Sequence, residues 1–125
     1  MKISPLVLIG CLAAAMLARP AAAWAHAFLD HANPKVGSVI NDSPGEIKIW
    51  FTQEIEPDFS TIEVHDSNGH QVDKKDSHLD AKDKTLLIVS VPKLADGEYS
   101  VAWSVVSVDT HHTHGDFKFT VKTKS

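Results

Sequence analysis

Histidine is the commonest metal ligand among side chains, and this chain of 125 residues has eight. Three of them stand close together in Ser107-Val108-Asp109-Thr110-His111-His112-Thr113-His114. Neutral imidazole nitrogens with a carboxylate oxygen form a donor set for borderline divalent ions. Asp109 and His111 are two residues apart, and in an extended segment that spacing puts both side chains on one side. A fourth histidine, His26, follows Ala23-Trp24-Ala25. A cut after Ala25 makes His26 N-terminal, so that its α-amine and ring Nδ1 can close a six-membered chelate ring on one ion. No internal histidine can do this. Amine, two imidazoles and a carboxylate suit tetragonal Cu(II), and zinc can use the same donors tetrahedrally. His31, His65, His70 and His78 stand singly and are read as solvated surface residues.

The cut is expected from the first 25 residues. Lys2 starts the chain, Ile3 to Leu17 is mostly apolar, and Arg19-Pro20 ends the run ahead of Ala21-Ala22-Ala23-Trp24-Ala25. This is the pattern of a cleaved secretory signal peptide, 1–25, leaving a domain of 26–125. A cut after Ala23 is the second choice. It would leave Trp24-Ala25-His26, whose amine, backbone amides and imidazole chelate Cu(II) or Ni(II) without Asp109 or His111. Cys11, Met1 and Met16 all lie within the leader. Residues 26–125 therefore contain no sulfur, which denies them a disulfide and the soft thiolate or thioether ligands that Cu(I) prefers.

Losing Lys2 and Arg19 with the leader takes the formal charge from -4 to -6, so no basic excess points to nucleic acid. Hydrophobic residues at 43% and charged residues at 22% suit one soluble domain. Ile47, Ile49 and Phe51 alternate with Lys48, Trp50 and Thr52, the period of a half-buried strand. Ile62 and Val64 alternate within 61–65. Tyr99, Val101, Trp103 and Val105 share one face of a long strand, and Phe117, Phe119 and Val121 share another. Residues 28–32 and the continuous apolar run 86–91 read as strands too, and 71–74 can pair back across Asp66-Ser67-Asn68-Gly69. Residues 75–83 read as a polar surface loop. Trp103 belongs to the core, while Trp50 on the polar face can be either partly exposed or the cover of a site. About seven short strands without a sustained helical period make an all-β sandwich or Greek-key barrel.

The segments H-A-F-L-D-H-A-N-P-K-V-G-S at 26–38, I-K-I-W-F-T-Q-E-I at 47–55, G-E-Y-S-V-A-W-S-V-V-S-V-D-T-H at 97–111 and G-D-F-K-F-T-V at 115–121 resemble the CopC family of periplasmic copper-resistance proteins. The resemblance implies an immunoglobulin-like Greek-key β-sandwich binding one Cu(II) ion through a histidine brace. It places the N-terminal histidine at His26 and the D-x-H ligands at Asp109 and His111. The Met-rich Cu(I) site that some family members carry in the middle of the chain has no counterpart here, since no methionine stands there. A family glutamate that supports the terminal histidine is replaced by Gln53, with Glu54 beside it. The family proline after D-x-H is replaced by His112, so His112 and His114 are candidates for a supporting or transfer surface.

The expected function is that of a periplasmic Cu(II) carrier or buffer in copper resistance or homeostasis. It is not an enzyme, it is expected to be a monomer, and its partner by resemblance is an inner-membrane copper-transport protein of the CopD type. Amine and imidazole donors, with ordinary pKa values of about 8 and about 6.5, must lose protons to bind, so affinity should weaken as pH falls. Two alternatives are a histidine-brace copper oxygenase and an interaction sandwich that binds no metal. The short chain shows no row of exposed aromatics to grip a polymer, and an anionic ligand should disfavour reduction of the copper.

Overall fold

The computed structural model of the chain describes residues 27–124. The expected leader, 1–25, and His26 lie outside the described residues. Eight strands are formed among the described residues: β1 Leu29–Asn33, β2 Val39–Ile40, β3 Glu46–Phe51, β4 Thr61–His65, β5 His78–Leu79, β6 Leu86–Ser90, β7 Gly97–Val106 and β8 His112–Val121. They make two four-stranded sheets, ordered β1-β3-β6-β5 and β2-β8-β7-β4. Only β5–β6 and β7–β8 are neighbours within one sheet and consecutive in sequence. Every other connection crosses between sheets, as in a Greek-key sandwich.

The alternating residues explain the packing. Ile47, Ile49, Ile62, Val64, Val101, Val105, Phe119 and Val121 are all at most 1% exposed and close the space between the sheets. Burying one such side chain is worth about 1.5–3 kcal/mol, and without a disulfide this core carries the domain. Trp103 lies in the core with its indole directly over Gly115, where a Cβ would come within 2.6 Å of the ring. Phe51 meets it edge-on at 5.2 Å. Tyr99 donates its hydroxyl to the Ala95 carbonyl at 2.6 Å, four residues upstream, like the tyrosine corner of many sandwiches.

Three details differ from the sequence expectation, and one that it left open, Trp50, is resolved. Residues 71–74 form no strand. Gln71 makes a single bridge to His65, and Asp73 turns its carboxylate inward instead. β2 and β5 are edge strands of two residues each, β5 falling inside the segment read as a loop. β8 starts at His112, five residues before its first apolar side chain, so His112 and His114 lie on a strand. Trp50 is half-buried on the outer face of β3 and stacks on His31, rings 4.4 Å apart and 11° from parallel.

Candidate metal centre

β7 ends at Val106 and β8 begins at His112, so Asp109 and His111 belong to the turn between them. They do meet, with Asp109 Oδ2 3.2 Å from His111 Nδ1. The cause is not the extended segment that their spacing suggested. The Ser107 N–H donates to the His111 carbonyl at 2.9 Å and the Thr110 N–H to the Ser107 carbonyl at 2.8 Å. Thr110 sits at φ +72°, a left-handed conformation that is a clear outlier for a β-branched residue. Such outliers persist where the surroundings fix them. Here the Val108 N–H donates to the Glu54 carbonyl at 3.1 Å and the Glu56 N–H to the Val106 carbonyl at 2.7 Å.

Ser107 is the residue that sequence reading missed. It is 1% exposed. Its hydroxyl donates to Asp109 Oδ1 and accepts the His111 backbone N–H at 3.3 Å, so one oxygen holds the Asp109 side chain and the His111 main chain. The signal was present in Ser-x-Asp-x-His, since short hydroxyl side chains bond locally within turns. Donation from Ser107 is the main reason that the Asp109 carboxyl is held below its usual pKa, with His111 adding to it and burial opposing. The carboxylate is thus anionic at neutral pH. Side chains 41% and 52% exposed leave Asp109 and His111 within reach of solvent ions.

Two donors on one ion at about 2.0–2.2 Å stand about 3 Å apart when adjacent in its coordination shell. The 3.2 Å separation of Oδ2 and Nδ1 fits that bite. Among the described residues no group of three or more His, Cys, Asp or Glu side chains is placed to hold a metal, and the described part of the candidate centre is this pair.

The first described residues are fastened beside it. Ala27 is fully buried, and its carbonyl accepts the Thr113 hydroxyl at 2.5 Å, two residues beyond His111. The Phe28 N–H donates to Thr52 Oγ1 at 3.0 Å, and the Thr52 N–H returns a bond to the Phe28 carbonyl at 2.8 Å.

Gln53 and Glu54 have exposed side chains between β3 and the turn. Glu54 braces Val108 through its backbone carbonyl, and it lines a surface depression with Lys82 and Lys84. His112 and His114 project from the exposed face of β8, where His112 Nε2 is 2.6 Å from Ser104 Oγ. Of the four histidines read as solvated, His65 is half-buried in β4, His70 pairs with Asp66, and His78 Nδ1 is 2.7 Å from the Asp76 carbonyl. His31 is held by Asp30 at 2.7 Å as well as by Trp50.

Comparison with known proteins gives one direction. A family model described as the CopC domain matches residues 29–122. Protein YobA of Escherichia coli strain K12 is 33% identical over 100 residues, which are 79% of this chain and 81% of that protein. The crystal structure of CopC from Methylosinus trichosporium OB3b is 33% identical with a TM-score of 0.76, covering 80% of this chain and 97% of that one. PcoC of Escherichia coli, a methionine-rich copper resistance protein, is 27% identical with a TM-score of 0.67 over 78% of this chain and all of its own.

Proposed function

The chain belongs to the CopC family, and we propose that it is an exported Cu(II) carrier or buffer with one brace-type site formed by His26, Asp109 and His111. The observation that carries the reading is the turn around Ser107. It holds a carboxylate and an imidazole at the bite of one ion, and it does so next to the buried Ala27 that follows His26 in sequence. With His26 at the terminus, its amine and Nδ1 add two nitrogens to the imidazole and the carboxylate. That tetragonal N,O set favours Cu(II) over Cu(I).

The contrast with the methionine-rich PcoC sharpens the choice of oxidation state. In this chain both methionines precede residue 17 and the single cysteine is Cys11. A domain starting at His26 has no soft ligand to offer Cu(I). The carrier works in the periplasm, where copper is its cargo and an inner-membrane transport protein of the CopD type takes or supplies the ion. The half-exposed pair permits such exchange. In this reading the protein has no catalytic role, and its anionic Asp109 stabilises the higher charge of Cu(II).

The test is the intact mass of the exported protein, with and without one equivalent of Cu(II). A chain starting at His26 that carries one copper supports the reading. A chain starting elsewhere, or one that takes no copper, overturns it.

A further inference from the structure

We propose a second, weaker Cu(II) site on the outer face of β8, formed by His112 and His114 with Ser104 as its orienting partner. This goes beyond the brace and uses none of its ligands. The two histidines alternate with Thr113, whose hydroxyl is held inward by the Ala27 carbonyl, so both imidazoles share the solvent side of one strand. Their ring centroids are 6.0 Å apart and the rings are tilted by 43°. Two imidazoles bound to one ion at about 2.0–2.1 Å place their centroids about 4.5 Å apart at a right angle and about 6.3 Å apart when opposite. The observed spacing falls inside that range, and both side chains are exposed and can rotate to close it.

The strand is rigid. β8 pairs with β7 over ten residue pairs, including Ser104 opposite His114 and Val106 opposite His112. Ser104 Oγ is 2.6 Å from His112 Nε2. When Nε2–H donates to that oxygen, the lone pair sits on Nδ1 and is available to a metal. Imidazole ligands are commonly oriented in this way through their other nitrogen. Beside the pair runs a groove of about 510 Å³ whose lining includes Glu63, Ser104, His114 and Asp116. The two carboxylates bias that face toward cations. His112 directly follows His111, so an ion captured on β8 is poised to pass to the tighter pair.

Calorimetric Cu(II) titration of the exported protein, with the EPR spectrum recorded at each equivalent, tests this. The wild type should bind a second equivalent at least tenfold more weakly than the first. His112→Gln/His114→Gln should weaken that second stage tenfold or more while leaving the first within twofold, and Ser104→Ala should weaken it severalfold. In His111→Ala the weak stage should persist even though the tight one is lost, which separates this site from the brace. A single equivalent in the wild type, or a second stage untouched by the double variant, overturns the proposal. The His112, His114 and Ser104 side chains lie on the outer face of the β7–β8 pair, so unfolding curves of those variants should match the wild type.

Discussion

Two turns at opposite ends of the β4-β7-β8 side of the sandwich each set an aspartate against a histidine, and they use the aspartate differently. In the turn after β4, Asp66 Oδ1 accepts the N–H groups of Asn68 and His70, both at 2.9 Å, while Oδ2 stands 3.6 Å from His70 Nδ1. That carboxylate is largely consumed in shaping its own backbone. In the turn after β7, the backbone closes through Ser107 and Thr110, and Asp109 is held by a hydroxyl instead. Its second oxygen is left facing an imidazole at 3.2 Å, beside the anchored Ala27. Asp73 stands at the structural extreme. It is 8% exposed and accepts the Val64 N–H at 2.7 Å, the Lys75 N–H at 3.0 Å and the Gln71 amide at 3.1 Å. What separates a structural carboxylate from the proposed ligand is which groups already occupy its oxygens.

Substitutions at the two ends should break this contrast in order of size. His111→Ala should weaken Cu(II) binding by more than about a hundredfold, beyond the 10–100-fold range of changes outside the ligand set. Competition with a chromophoric chelator measures it. Asp73→Ala leaves the buried Val64 N–H without its partner and should cost about 2–3 kcal/mol in urea unfolding, with copper affinity unchanged. Ser107→Ala should weaken copper by about 10–100-fold, because it releases Asp109 and His111 from their common oxygen. In the same variant the Asp109 carboxyl should titrate higher by NMR, since the Ser107 hydroxyl is the main cause of its depression. His70→Ala at the opposite turn should leave copper affinity unchanged within twofold.

The smallest effect concerns acid stability. Asp66, Asp76, Asp83 and Asp109 are all held below the usual carboxylate pKa, Asp66 chiefly by the His70 N–H, Asp76 by Ser90 and Asp83 by the Thr85 hydroxyl. Depressed folded values contribute stability that is complete above the unfolded value of about 3.9 and is lost as pH falls through the folded ones. The melting temperature of the apoprotein should therefore hold from pH 7 to about 5 and fall below about 4. Copper affinity should also weaken as pH falls, because metal binding must displace protons from its donors.

The core was legible because period-two alternation in β3, β4 and β7 reports directly which side chains face inward. β2 and β5 were not, because two residues carry no period. The start of β8 was hidden for a physical reason. Its inward positions 113 and 115 hold Thr and Gly, one bonded to Ala27 and the other covered by Trp103, so no apolar residue marks them. In the same way, Asp109 and His111 were legible as residue types at a spacing, but the mechanism of their meeting was not. A left-handed Thr110 cannot be read from Asp-x-His, and Ser107 gains its role only once β7 stops one residue before it.

The central claim is that His26 binds copper through its own amine together with the turn. The most direct measurement is the Cu(II) affinity and EPR spectrum of the exported protein, set beside a chain with one additional alanine ahead of His26. The account predicts that the extra residue, which moves the amine away from the His26 ring, changes the spectrum and weakens binding by more than about a hundredfold. Identical spectra and affinities for the two chains would contradict it.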